Sequence, residues 1–341
     1  QLMTYHQAYQ GDIQLRRALA KYLTETRGIH VEVSNILITR GSLMAFYLLF
    51  QNLLSPGDKV IVGNPGFNEA HNSIRLAQGQ LVRVAVDEEG MDVDAVERIC
   101  EKERIRAVYI VPHHHYPTTV ALSAERRMRL LLLAERYGFA IIEDDYDYDF
   151  HYSSSPVLPM ASSDYAGTVA YVGSFSKTIA PSLRIGFIVA PEALIQALTK
   201  FSRFVDSHGN TALERAVAML FANGEINRHL KKATTIYRNR RDHCCAMLQK
   251  ELGPFIDFNV PEGGLAVWVK FKPPLSIQQL HQKAAQIGLR FPDTHLFCPP
   301  NETLNATRIG FASRTPEEMT NAIKLLQQLT KITSKPNKIT N

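Results

Sequence analysis

Cysteine is scarce in this 341-residue chain, and its four copies, Cys100, Cys244, Cys245 and Cys298, show no C-x-x-C spacing. Neither a disulfide framework nor a zinc ribbon can be the basis of the fold. Adjacent Cys244 and Cys245 are poorly placed to bridge one another, so a reduced, cytoplasmic setting is expected. No apolar run reaches the roughly 20 residues of a membrane-spanning helix. The polar start Gln1-Leu2-Met3-Thr4 has the pattern of neither a signal nor a transit peptide. Charge of one sign is lacking too: the net charge of +5 falls well short of a nucleic-acid footprint. The six Lys and Arg between Arg228 and Arg241 read as a solvated helix face. No internal repeat is present.

Two metal readings also fail. Asp145, Asp147 and Asp149 alternate like the opening of a calcium loop, but Phe150 stands where the glycine turn is needed and Pro156 where the closing glutamate belongs. His113, His114 and His115 are consecutive, so on extended backbone they point to opposite faces and cannot easily converge on one ion.

What is present is apolar content of 45%, enough to bury a large core, and a length that suggests about two domains. Strands are expected at Ile36–Thr39, Lys59–Val62, Leu81–Val86, Ala107–Val111, Ala140–Glu143, Val169–Val172 and Arg184–Val189. Most are continuous apolar runs, the pattern of strands covered on both faces. Between two of them, Leu130, Leu133, Ala134 and Tyr137 recur at helical spacing, with Ser123 as cap and Gly138 as stop. This βα alternation predicts an α/β fold with a mostly parallel, seven-stranded sheet and a ligand at the strands' carboxyl ends. From about Asn210 the texture changes to one long helical stretch, Thr211–Leu252. A strand pair around Leu265–Phe271 and helices at Ile277–Gln286 and Pro316–Leu329 follow, the pattern of a smaller α+β domain.

Four motifs fall at strand ends. Gly173-Ser174-Phe175-Ser176-Lys177-Thr178 places a lysine between hydroxyls, with Arg184 close behind. A lysine amine that is partly deprotonated condenses with a carbonyl, and Ser174, Ser176 and the Arg184 fork suit a phosphate dianion. Upstream, Ala140-Ile141-Ile142-Glu143-Asp144-Asp145-Tyr146 ends a buried strand in carboxylates and a phenol. Asp144 can hold a pyridine nitrogen protonated, which makes pyridoxal phosphate an electron sink, and Tyr146 can reach that ring's phenolic oxygen. Ile36 to Ala45 reads as strand, glycine turn and helix start, where Gly41, Ser42 and Leu43 offer backbone N–H groups to a phosphate. Gly63-Asn64-Pro65-Gly66-Phe67 puts an aromatic where it can stack on a planar ring.

In this order the motifs resemble the fold-type I pyridoxal phosphate enzymes, the aminotransferase superfamily. More narrowly, Glu143-Asp144-Asp145-Tyr146-Asp147, His115-Tyr116-Pro117-Thr118 and Ser174-Phe175-Ser176-Lys177-Thr178 resemble the aminotransferase-like domain of MocR-type GntR regulators. The resemblance runs from about residue 5 to 330. It implies an N-terminal segment, 1–30, joining the small domain; a large cofactor-binding domain, 31–205; a small domain, 206–330; and a flexible tail, 331–341. It implies that Lys177 forms the internal aldimine, that Phe67 stacks on the cofactor ring, and that Arg308 clamps a substrate carboxylate. It also implies a head-to-tail homodimer, with Tyr5 or Tyr9 reaching the partner's phosphate.

The enzymes' Asn-Pro-Thr-Gly turn here reads Tyr116-Pro117-Thr118-Thr119, so the asparagine that bonds the cofactor's phenolic oxygen is gone. Whether His114, His115 or Tyr116 takes its place stays open. The departure fits an effector-sensing regulator domain, in which an amino compound displaces Lys177 as an external aldimine and DNA is read by a winged helix-turn-helix absent from this chain. An excised domain is therefore expected. The alternative is a free-standing aminotransferase acting on amino acids and 2-oxo acids; a decarboxylase or lyase of the same fold is a third reading.

Overall fold

The computed structural model describes residues 9–152, 156–206, 209–292, 294–299, 301–302 and 304–333. The larger sheet contains β1 (Ile36–Thr39), β2 (Lys59–Asn64), β3 (Gln80–Asp87), β4 (Gly90–Met91), β5 (Ile105–Ile110), β6 (Ala140–Asp145), β7 (Val169–Ser174) and β8 (Gly186–Val189). Their spatial order is β1-β8-β7-β6-β5-β2-β3-β4. The run β7-β6-β5-β2-β3 is parallel, whereas β8 lies antiparallel to both β1 and β7. All seven expected strands form; the two-residue β4 adds an eighth.

Helices cover both faces, which is why the strands are apolar at consecutive positions. On one face Val60, Val62, Ala107, Ile142 and Val172 pack with Ala45, Phe46 and Leu49 of α2 (Ser42–Leu53), with α3 (Asn68–Leu76) and with α6 (Glu192–Val205). On the other, Ile61, Val108 and Ile141 meet α4 (Val93–Cys100) and α5 (Ala124–Tyr137). The first helix, α1 (Ile13–Arg27), is capped by the Asp12 carboxylate at the amides of Gln14 and Leu15 and stopped by Gly28 at φ 64°. Leu15, Leu19 and Leu23 of α1 share one cluster with Ile36, Tyr171 and Phe187 of the large sheet and with Val217 and Ala218 of the helix at Thr211–Ala222, so the described part of the 1–30 segment packs against both the 31–205 and the 206–330 stretches.

The helical stretch from Thr211 is two helices, α7 (Thr211–Ala222) and α8 (Glu225–Leu252), because Gly224 at φ 69° breaks it. A second core follows, and its sheet has three antiparallel strands rather than a pair: β9 (Ile256–Phe258), β10 (Ala266–Phe271) and β11 (Ala306–Gly310), in the order β11-β10-β9. Residues of α8, α9 (Ile277–Gln286) and α10 (Pro316–Thr333) bury Leu248, Leu280, Ile323 and Leu326 against Val267 and Val269. Arg184, expected to open a strand, instead sits at φ 52° after a short turn at Pro181–Leu183, and β8 starts two residues later. No helix among the described residues is long and apolar enough to cross a membrane.

Candidate active site

The register of three strands brings the expected phosphate residues to one edge of the sheet. Gly186 on β8 pairs with Thr39 at the end of β1 on one side and with Ser174 at the end of β7 on the other. Gly41 follows at φ 80°, and α2 begins with no side chain capping its first amides, leaving the N–H groups of Ser42 and Leu43 for an anion. The Arg184 guanidinium reaches the same point, donating to the Arg40 carbonyl at 3.1 Å. Space is tight there: a Cβ on Gly41 would lie 2.8 Å from Arg184 Nη2, and one on Gly186 would lie 2.8 Å from Gly41 Cα. On the β7 side, Ser174 Oγ donates to Ser176 Oγ at 3.0 Å and accepts from the Ser176 amide at 3.1 Å. Lys177 follows in a turn and its side chain is exposed.

Asp144 and Asp145 end β6 and point to opposite faces of the sheet. Asp145 is well occupied: it takes the Tyr148 amide at 3.0 Å, the Tyr171 hydroxyl, and Arg27 Nε at 3.6 Å. Asp144 is 4% exposed and accepts one bond, from the Tyr109 hydroxyl at 2.6 Å to Oδ2. Burial lifts its carboxyl to about 7, opposed by the Tyr109 bond and reinforced by Asp145 and Asp147. A buried carboxyl with a free oxygen suits a ring nitrogen that brings its own positive charge. Tyr109 was not singled out from the sequence, although a tyrosine inside the buried run Ala107–Val111 needs a partner for its hydroxyl.

The substrate side is aromatic. Tyr146 donates to the His114 carbonyl at 2.7 Å, and burial raises its phenol well above the usual value, opposed by the nearby Arg308 charge. Arg308, on β11 opposite Trp268 of β10, sets its guanidinium 5.1 Å from the Tyr116 ring centroid. Its Nε is buried without a partner, which fits a guanidinium awaiting a carboxylate. The Tyr116 ring meets Phe67 edge-on at 5.1 Å and Phe297 at 5.8 Å. The three histidines are committed elsewhere: His113 Nε2 to the Val157 carbonyl (2.7 Å), His114 Nδ1 to Asp147 (2.7 Å) and His115 Nδ1 to the Thr118 hydroxyl (2.8 Å). Of His114, His115 and Tyr116, it is therefore Tyr116 whose side chain faces Arg308. Thr119, where the enzymes carry glycine, keeps a left-handed backbone at φ 62°, unusual for a β-branched residue. Tyr9 lies under Arg203, with Cζ 4.1 Å from the ring; Tyr5 is outside the described residues.

An α/β sheet covered by helices on both faces, with a glycine turn, a lysine turn and a carboxylate at its strand ends, has the architecture of the fold-type I pyridoxal phosphate transferases. The chain belongs to the aminotransferase class I and II family, whose sequence pattern matches residues 3–326. It is 31% identical over 326 residues to aromatic-amino-acid aminotransferase 1 of Thermococcus litoralis, covering 94% of this chain and 78% of that protein. It is also 32% identical over 314 residues to the uncharacterized HTH-type transcriptional regulator YdfD of Bacillus subtilis, covering 92% of this chain. A third relative is the probable rhizopine catabolism regulatory protein MocR of Rhizobium meliloti, at 28% over 320 residues and 93% of this chain. The chain spans 64% of the length of each of those two regulators. Among solved structures, Pyrococcus horikoshii kynurenine aminotransferase in complex with PMP superposes with a TM-score of 0.92 at 27% identity, covering 98% of this chain and 84% of that one.

Proposed function

We propose that this chain is the pyridoxal-phosphate-binding, effector-sensing part of a MocR/GntR-type transcription regulator. The cofactor supplies an aldehyde that takes up amines and a protonated ring that withdraws electrons. The chain's own residues do the rest. Gly41, Ser42, Leu43, Ser174, Ser176 and Arg184 would hold the phosphate, Asp144 the ring nitrogen's proton and Tyr146 the phenolic oxygen, with Phe67 beside the ring and Lys177 Nζ as the amine available to the aldehyde. Arg308 receives the carboxylate of an amino compound that competes with Lys177.

The observation that carries the regulator reading is the Tyr116 ring lying over Arg308 at 5.1 Å where the enzymes carry asparagine. Exchange of one amine for another needs only the lysine, the carboxylate and the phosphate cup. Repeated turnover also needs groups that direct proton transfer, and Tyr116 and Thr119 depart from the enzyme pattern near that place. The likeness to helix-turn-helix regulators supports the same reading. The 31% identity to an aminotransferase keeps the alternative, a free-standing transaminase acting on amino acids and 2-oxo acids.

The test has two stages. The chain saturated with pyridoxal phosphate is reduced with borohydride and mapped by peptide mass; the label is expected on Lys177 and absent in Lys177→Ala. The loaded chain is then offered amino acids with 2-oxo acids. A spectral response with little or no sustained product is expected, whereas steady multiple turnover would make the transaminase reading correct.

A further inference from the structure

We propose that Arg27 is a positioning residue for the site, holding from α1 both the residue that follows Lys177 and the residue that follows Asp144. The proposal rests on the reading of Lys177 and Asp144 as the pair that engages the cofactor.

Arg27 is 6% exposed near the end of α1, between two rings, with Cζ 5.1 Å from the Tyr22 centroid and 4.6 Å from that of Tyr148. Two branches leave its guanidinium. In the first, Nη2 donates to Asp149 Oδ1 at 3.0 Å, the Tyr22 hydroxyl donates to the same oxygen at 2.6 Å, and Asp149 Oδ2 accepts the Thr178 hydroxyl at 3.2 Å. Thr178 is 4% exposed and directly follows Lys177. In the second, Nε donates to the Tyr171 hydroxyl at 2.9 Å, and that hydroxyl in turn donates to Asp145. Asp145 directly follows Asp144. Burial opposes the charge of Arg27, but Asp149, Tyr171, Tyr22 and Asp145 outweigh it and keep the guanidinium charged.

A buried ion network is a poor way to attach a helix, because the cost of desolvating its charges offsets their attraction. α1 already has Leu15, Leu19 and Leu23 in the core for that purpose. What the network adds is direction. Lys177 is exposed in a turn, so the anchored Thr178 is what fixes where the turn presents its amine. Asp144 has a single hydrogen bond of its own, so the anchored Asp145 helps fix where β6 presents its carboxyl.

The test is cofactor affinity of folded variants, measured by titrating pyridoxal phosphate at a temperature where circular dichroism shows each variant folded. Thr178→Val is expected to bind about tenfold more weakly, the scale of one hydrogen bond to a charged group, and Thr178→Ser to recover wild-type affinity. Tyr22→Phe, which removes the other hydroxyl from Asp149 and touches neither Lys177 nor Asp144, is expected to weaken binding about threefold. The double variant should lose less than the product of the two, since both act through Asp149. Wild-type affinity in folded Thr178→Val and Tyr22→Phe would mean the network only holds α1 in place, and strictly multiplicative losses would mean Asp149 is not the shared link. A wild-type chain that shows no borohydride-fixed label at Lys177 would instead sink the underlying cofactor reading.

Discussion

Asp144 couples the site to the stability of the chain. Its carboxyl, lifted to about 7 mainly by burial, titrates near 3.9 in an unfolded chain. The folded state therefore holds this proton more tightly than the unfolded one. The resulting stabilisation is complete below about pH 4 and is lost as pH rises through about 7. Glu143, held by the amides of Met160 and Ala161 at 2.8 and 2.9 Å, is likewise lifted to about 7 by burial. The buried histidines His71, His115 and His151, lowered by burial to about 3 from about 6.5 in an unfolded chain, act in the opposite sense and add stability as pH rises between those values. Between about pH 4 and 7 the Asp144 and Glu143 carboxyls thus lower the melting temperature of the cofactor-free chain as pH rises, against the opposite slope of the histidines, and comparison with a variant isolates the Asp144 share. Asp144→Asn, neutral throughout, should flatten part of that slope and leave the share that belongs to Glu143. Cofactor saturation should flatten it too, because a pyridinium beside Asp144 favours the carboxylate. An identical slope in wild type and Asp144→Asn would show that Asp144 is already ionised in the folded chain.

At the scale of elements, the strand ends and their motifs were legible because each is local: an apolar run of fixed length, then a turn residue, then a polar group. Lys177, Asp144 and the Gly41 turn could be found that way. What could not be read depends on pairing across long separations. The Asp144 partner Tyr109 lies 35 residues away, and β11 joins β10 through the pairing of Trp268 with Arg308. β9 has only three residues, too few to show a period. Arg184 precedes an apolar run and so reads as part of a strand, whereas its left-handed φ of 52° is what turns its guanidinium onto Gly41. The contact between those two residues gives a paired test. Gly41→Ala combines a strained φ of 80° with a Cβ 2.8 Å from Arg184 Nη2, while Gly57→Ala carries a similar strain at φ 89° with nothing within 4 Å. Both are expected to lose about 1–2 kcal/mol of stability in thermal melts. Only Gly41→Ala should also lose pyridoxal phosphate affinity, by tenfold or more. Equal affinity in the two variants would remove the phosphate role from the Gly41–Arg184 cup.

In the whole molecule the chain that follows the larger sheet's strands is joined to the smaller sheet's segment at two places. One junction lies beside the chain crossing, where the Gly264 amide donates to the Phe150 carbonyl at 2.8 Å and the Tyr152 amide to the Glu262 carbonyl at 2.8 Å. The other closes over the aromatic side, where the Gly66 amide donates to the Phe297 carbonyl at 2.8 Å and the Asn64 amide group to Glu302 at 2.8 Å. Arg308 belongs to the small sheet, yet its guanidinium lies over the Tyr116 ring, which follows β5 of the larger sheet. Under the proposed function, a carboxylate bound there would draw on both sheets at once. Arg308→Lys keeps the charge but loses the planar two-pronged fork. The expected result is unchanged pyridoxal phosphate affinity, with the amino-acid concentration needed for half of the spectral response raised about tenfold or more. A simple alkylamine of similar length, having no carboxylate, should respond equally in wild type and variant. If the unmutated chain answers amino acids and alkylamines alike, Arg308 does not clamp a carboxylate.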